Sequence, residues 1–178
     1  SLTMDAGGVV KDAYRLFTNP WSHLQNRDSQ PLQESLLYFG LSFLIFGFPI
    51  FFFTIVQGLL AARTGALELL LVFGLGLLVF AISTVLIPLL SLITIGLHHA
   101  GLRLAANVTG FEKTTSAYVS TAPLALVYAV LITAATVLFT GTGLLVLVSI
   151  LLNIGSTVHI FHILSIAFSS MHDISYLH

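Results

Sequence analysis

The sequence predicts an all-α, polytopic membrane protein: a bundle of about four long transmembrane helices, preceded by an interfacial amphipathic helix. Residues 36–60 contain no charged side chain, and further apolar blocks follow them. A hydrocarbon core of about 30 Å needs roughly 20 apolar helical residues, and a helix satisfies its own backbone polar groups in lipid. The composition, 57% hydrophobic and 7% charged, is too apolar to cover a soluble domain.

The composition also argues against several classes of function. Six Lys and Arg residues stand against seven Asp and Glu residues, so we expect no basic surface and no nucleic-acid partner. The chain has no cysteine, which excludes disulfides, thiolate metal sites and a thiol nucleophile. Its closely spaced glycines lack the strand and the lysine of a phosphate-binding loop. We therefore expect neither an enzyme nor a cofactor.

The chain divides into two parts, an N-terminal amphipathic segment (1–35) and a transmembrane helical domain (36–175). Because the first apolar run begins only at residue 36, we expect no signal peptide. Within 5–18, apolar residues recur at helical spacing opposite charged ones, which predicts a short helix in the membrane interface. Asn19-Pro20 should end this helix, and Trp21 suits the headgroup level.

The first two spans follow from uninterrupted apolar runs. Pro31 is suited to the start of a helix, and a first span is expected over 36–56. The next run, 66–97, is longer than one straight crossing requires. Pro88 predicts a kink within it. A helical hairpin that turns at Pro88 is the alternative.

Two more spans are expected after a polar connection. Asn107–Thr115 reads as a loop, Tyr118–Thr140 as the third span and Gly143–Ser170 as the fourth. In the last block, Asn153 lies before Gly155, where the polar face of the helix changes direction. A broken helix that lines a cavity is one interpretation, and hydrogen bonding of Asn153 to a neighbouring span is the other.

The distribution of basic residues predicts the orientation in the membrane. With four spans, Lys11, Arg15, Arg27, Arg103 and Lys113 fall on one side, and Arg63 falls on the other. Cytoplasmic loops carry an excess of Lys and Arg. We therefore expect a multi-pass protein of the cell membrane with both termini in the cytoplasm.

The histidines in the cytoplasmic half of the spans, together with Asn153 of the last span, form a candidate path or metal site. Imidazoles can bind a divalent metal or shuttle protons, and interhelical hydrogen bonding by histidine is the structural alternative. A small oligomeric transporter or channel, which requires self-association, would use such a path. The candidate residues are His98, His99, Asn153, His159, His162 and His172.

The order of short motifs resembles the Yip family of Rab-interacting membrane proteins, in a prokaryotic-type member. The motifs are Phe17-Thr18-Asn19-Pro20-Trp21, Leu97-His98-His99-Ala100-Gly101-Leu102-Arg103-Leu104, Thr109-Gly110-Phe111-Glu112-Lys113, Tyr118 with Ala122-Pro123, and Met171-His172-Asp173-Ile174-Ser175. Tyr118 and Pro123 are five residues apart instead of the family's four, and the customary fifth span has no counterpart in 1–178.

The resemblance implies a membrane scaffold or adaptor. Eukaryotic relatives imply trafficking and cytoplasmic binding of prenylated Rab-type GTPases, whereas prokaryotic relatives imply no established activity. We expect Phe111, Glu112, Lys113 and Tyr118, together with the N-terminal helix, to present a contact surface for a cytoplasmic protein. The lipid bilayer is the other expected partner.

Overall fold

The computed structural model describes residues 5–25, 27–61 and 66–174, which form six helices and no strand. Four of these helices are long and apolar enough to cross a membrane. The predicted all-α bundle with four spans is thereby confirmed, and Arg63 and Ser175 lie outside the described residues. In chain order the helices are α1 (Ala6–Thr18), α2 (Pro20–Gln25), α3 (Leu32–Ala61), α4 (Ala66–Ala106), α5 (Phe111–Phe139) and α6 (Leu144–His172).

The N-terminal segment forms two helices instead of one. The Asp5 side chain caps α1 by accepting a hydrogen bond from the Gly8 N–H at 2.6 Å. The helix ends at Thr18, which confirms the break predicted at Asn19-Pro20. A short second helix that the sequence did not predict then begins at Pro20, where a missing N–H costs nothing.

The polar stretch before the third span is helical, which corrects the prediction of a loop over Asn107–Thr115. The connection covers only 107–110, with Asn107 and Gly110 in left-handed conformations, and α5 begins at Phe111. Residues 114–124 are buried apart from the half-buried Tyr118. Because neighbouring helices surround this half of α5, its hydroxyl groups lie inside the fold; one of them, on Thr115, bonds to the Phe111 carbonyl.

Helices α4 and α6 are each continuous. The 41 residues of α4 run through Pro88, so the alternative of a hairpin is wrong. Hydroxyls on either side of this proline bond to carbonyls of the same helix, from Thr84 to Phe80 and from Ser91 to Pro88. In the same way α6 runs through Gly155, so the broken-helix interpretation is wrong.

Helix α5 lies at the centre of the bundle, in contact with α1, α3, α4 and α6. Helix α1 follows α5 lengthwise: Val9 packs in the cluster that includes Val119, and Phe17 lies beside Tyr128, about 13 Å further along α5. Helix α2 then returns along α6. We use "charged end" for the part of the bundle formed by α1, α2, the first turns of α3 and α5, and the last turns of α4 and α6.

Phenylalanine rings join α3 to the outer helix α4. Phe80 stacks on Phe43 and Phe51 at centroid distances of 5.9 and 5.5 Å. This packing depends on Gly76, where an added Cβ would lie 2.7 Å from Phe51 Cε2 and 2.9 Å from Ile55 Cδ1. A larger residue at this position would therefore displace the Phe51 ring and the Ile55 side chain from this packing.

We expect Gly76→Val to lower the thermal unfolding midpoint of the purified protein in mild detergent, by the equivalent of about 1–3 kcal/mol for an overpacked contact. Gly74→Val is the matched control, since among the described residues no atom outside the local helix backbone lies within 4 Å of the position that a Cβ would take at Gly74. Equal midpoints for the two variants would contradict this account of the α3–α4 contact.

Candidate functional site: the charged end of the bundle

A buried carboxylate organises the charged end. The Asp12 side chain of α1 is 3% exposed, accepts a hydrogen bond from the Tyr38 hydroxyl of α3 at 2.7 Å and pairs with the Arg27 guanidinium. Arg27 also stands over the Tyr38 ring, 6.0 Å from its centroid. A buried charge is tolerated only when it is paired and hydrogen-bonded. These contacts therefore fix α1 and the α2–α3 connection to α3.

His23 of α2 completes this group from the opposite side of Asp12. Its Nε2 atom lies 3.4 Å from Asp12 Oδ1, and its side chain is 9% exposed. Burial, followed by the positive charge of Arg27, lowers the pKa of His23 to about 4, although Asp12 acts in the opposite direction. His23 is therefore neutral at pH 7, and the ion pair is carried by Asp12 and Arg27.

Hydroxyl groups extend this polar packing to α5 and α6. The Ser116 hydroxyl of α5 accepts from the Gln30 N–H at 2.8 Å and donates to the Gln30 carbonyl at 3.2 Å. The Ser170 hydroxyl of α6 donates to the Leu24 carbonyl at 3.0 Å. The backbone on both sides of Arg27 is thereby tied to two membrane-spanning helices, so the helices of the charged end form one connected platform.

The residues predicted to contact a partner do not form one surface. Glu112 is exposed in the first turn of α5. Phe111 packs edge-on against His99 at 5.5 Å, and the Lys113 stem lies beside Gly110. Tyr118 lies one and a half turns deeper and is half-buried. Of the four residues, Glu112 alone is exposed, while Phe111 and Lys113 on either side of it are partly buried.

Two of the predicted histidines meet through a threonine. The buried Thr114 hydroxyl of α5 lies 2.8 Å from His99 Nδ1 of α4 and 3.0 Å from His172 Nε2 of α6. Because a hydroxyl can donate only one hydrogen bond, at least one of the two imidazoles donates to Thr114. This bridge links three helices at the charged end, as the interhelical alternative predicts.

The remaining path candidates lie apart from that bridge. His159 Nδ1 is 2.6 Å from the Tyr128 hydroxyl of α5. Asn153 is on an exposed side of α6 and its amide donates to the Ser149 carbonyl of the same helix, while His162 is also exposed. Within the described ranges no three His, Cys, Asp or Glu side chains are grouped to hold a metal. A path formed between copies of the chain stays a prediction.

His98 and Tyr118, which the sequence placed in different hypotheses, line the same cavity. Their ring centroids are 5.8 Å apart. The cavity has a volume of about 300 Å³ and is bounded by α3, α4, α5 and α6. Its other lining residues are Phe39, Thr121, Ala122, Ala125, Leu126, Ile160, Phe161 and Leu164.

The outer side of α1 carries an apolar stripe. Val10, Tyr14 and Phe17 are exposed at helical spacing, and Trp21 of α2 is 46% exposed. Lys11 and Arg15 are exposed beside the stripe. Since α1 follows α5 lengthwise as far as Tyr128, this stripe faces outward along the bundle, and the location of the segment in the membrane interface stays a prediction.

Comparison of the chain with models of known protein families, with curated proteins and with solved structures finds no match. The resemblance to the Yip family therefore stays a prediction. What the fold establishes is the class: a multi-pass helical membrane protein.

Sequence reasoning missed the group around Asp12. On a short amphipathic helix, a charged residue next to Lys11 is expected to face water. One signal was available in the sequence. Asp12 has the helical spacing that places it on the same face of α1 as Val9, Ala13 and Leu16, and this face is buried. A partner such as Arg27 cannot be assigned before the chain reversal at α2 is known.

We expect Thr114→Val to lower the unfolding midpoint in detergent by the equivalent of about 1–3 kcal/mol, because it leaves His99 Nδ1 and His172 Nε2 without the bridging hydroxyl. Thr133→Val is the matched control, since within the described part of the chain the Thr133 hydroxyl bonds only to the Ala129 carbonyl of its own helix. A loss in the control as large as that in Thr114→Val would argue against the bridge.

Stability is expected to fall with acidity through His23. Its pKa is about 4 in the folded protein against 6.5 for an ordinary histidine, so the unfolded chain takes up the proton first as the pH decreases. The contribution of neutral His23 is complete above pH 6.5 and is lost as the pH falls towards 4.

Comparison with a variant isolates this contribution. We expect His23→Gln to flatten the pH dependence of the unfolding midpoint between pH 6.5 and 4 by the equivalent of about 1–2 kcal/mol relative to the unsubstituted protein. Identical pH profiles for the two proteins would show that His23 titrates normally in the fold.

Proposed function

We propose that the protein is an integral membrane scaffold or adaptor that binds a cytoplasmic protein at its charged end. The observation that carries this proposal is the set of contacts at that end: the buried Asp12–Arg27 pair and the Ser116 and Ser170 hydrogen bonds hold the N-terminal segment against three spans. A preorganised surface loses little conformational freedom when a partner binds.

The distribution of basic residues supports a cytoplasmic location for the charged end, where the proposed partner would bind. Five of the six basic residues of the chain are at the charged end. Lys11, Arg15, Arg103 and Lys113 lie on its helices, and Arg27 lies in the connection between α2 and α3, paired with Asp12. An excess of Lys and Arg marks the cytoplasmic side of a membrane protein. We therefore assign the charged end to the cytoplasm, in the cell membrane.

Exposed Glu112 is the contact that we would test first. We expect Glu112→Ala to reduce at least fivefold the recovery of a protein captured with the chain from native membranes after brief cross-linking, because the variant removes an exposed charge from the platform. Quantitative mass spectrometry of the captured proteins gives the ratio. The unfolding midpoint should be unchanged, since Glu112 has no part in the buried packing.

Glu68→Ala is the matched control. Glu68 is likewise an exposed acidic residue in the first turn of a long helix, but it lies at the opposite end of the bundle. Recovery that falls equally in both variants, or in neither, would count against the proposed surface.

Labelling at the same two positions, 112 and 68, measures the orientation of the protein in the membrane, on which the proposal depends. Because the chain has no cysteine, Glu112→Cys and Glu68→Cys each introduce a single thiol. A membrane-impermeant maleimide applied to intact cells should label the Glu68→Cys thiol and leave the Glu112→Cys thiol unlabelled. The reverse pattern would place the charged end outside the cytoplasm.

A further inference from the structure

We propose that the cavity shared by His98 and Tyr118 is a binding site for a single-chain lipid with a carboxylic acid headgroup, a long-chain fatty acid. This site is separate from the surface around Glu112, so either proposal can fail alone. With a volume of about 300 Å³, the cavity is at the lower end of the roughly 300–1,000 Å³ typical of small-molecule sites.

The cavity has a polar end and an apolar end. His98 is near the last turns of α4 and Tyr118 is near the start of α5, so both polar side chains lie towards the charged end. Ala125 and Leu126 line the cavity deeper along α5. From Tyr118 to Leu126 the helix advances about 12 Å. This polarity matches an amphiphile whose headgroup faces the charged end and whose chain extends towards the middle of the bundle.

Hydrogen bonding fixes what His98 can offer to a ligand. His98 Nδ1 lies 2.9 Å from the Thr94 carbonyl. Since a carbonyl only accepts, Nδ1 carries the proton, and the neutral ring is left with Nε2 as an acceptor. His98 therefore suits a headgroup that donates a hydrogen bond.

Tyr118 supplies the complementary group. Its ring contacts His98, and its backbone carbonyl accepts from the Thr121 hydroxyl, but among the described residues its own hydroxyl has no hydrogen-bond partner. A half-buried phenol is more stable when it is paired. One headgroup can therefore contact both residues: it donates a hydrogen bond to His98, and another of its oxygens accepts one from the Tyr118 hydroxyl.

A protonated carboxylic acid meets both requirements at once. Its O–H donates to His98 Nε2 and its carbonyl oxygen accepts from the Tyr118 hydroxyl. No Lys or Arg is present among the residues that line the cavity, which disfavours a phosphate headgroup, and an apolar environment favours the neutral form of a carboxylic acid. Donor and acceptor together distinguish the acid from its esters.

A second apolar region differs from this cavity, and we expect bulk lipid to fill it. A larger groove of about 470 Å³ lies between α3 and α4 beside Pro88. Its lining includes the exposed side chains of Leu37, Leu44 and Leu89, and it combines no histidine with a tyrosine. We expect this groove to contact the acyl chains of the bilayer without selecting a headgroup.

Photolabelling tests the site in the intact chain. The protein in phospholipid nanodiscs is exposed to a diazirine analogue of palmitic acid, irradiated, digested and analysed by mass spectrometry. We expect saturable labelling of the lining segments of α5 and α6, and competition by unlabelled palmitic acid. The methyl ester of palmitic acid, which cannot donate to His98, should compete at least tenfold more weakly.

Variants localise the labelled site. Ala125→Phe should reduce saturable labelling at least fivefold by filling the cavity. Tyr118→Phe should weaken saturable labelling because it removes the donor to the carbonyl oxygen of the headgroup, while it keeps the size of the side chain. Tyr14→Phe, on the exposed side of α1, is the control and should label normally. Unfolding midpoints identify any variant whose fold is disturbed, and Tyr118→Phe then carries the test in place of Ala125→Phe.

Two results would overturn the proposal. Labelling that rises without saturation and resembles that of the α3–α4 groove would mean contact with bulk lipid only. Saturable labelling that acid and methyl ester suppress equally, or that Tyr118→Phe leaves unchanged, would remove the assignment of a carboxylic acid headgroup.

Discussion

The structure depends on the neutralisation of one buried carboxylate. Asp12 stands on the face of α1 that packs into the bundle, where an unpaired charge would cost several kcal/mol. Arg27 and Tyr38 remove that cost, but only when the chain between α1 and α3 doubles back through α2. The geometry of the N-terminal segment is therefore determined by an electrostatic requirement.

The bilayer explains why polar groups are distributed so unequally. Along α4 the side chains are mostly apolar and exposed, as contact with hydrocarbon requires. Hydroxyls, imidazoles and charges are concentrated where α5 is enclosed by other helices. There, Thr114 and Ser116 have specific partners, so they provide directional contacts in a region where hydrophobic burial cannot distinguish one helix from another.

The sequence was sufficient to predict the membrane spans, because the apolar solvent determines their length and composition. It was insufficient to predict features that depend on contacts between distant residues. Apolar length and Pro20 predicted the spans and the end of α1. The loop prediction over 107–115 failed because Thr114 and Thr115 look hydrophilic until the helices that bury them are known. Likewise, His98 and Tyr118 belonged to separate hypotheses, and only the packing of α4 on α5 brings them into one cavity. Their 20-residue separation in the chain carries no such information.

The separation of contacts along the chain has a consequence for biosynthesis. The partners of Asp12 are 15 and 26 residues away, whereas Gln30 and Ser116 are 86 residues apart. A chain that emerges from the ribosome at about 5–20 residues per second can join α1 to α3 several seconds before α5 is synthesised. The central helix α5 is thus synthesised later, and it packs against a surface that α1 and α3 have already formed.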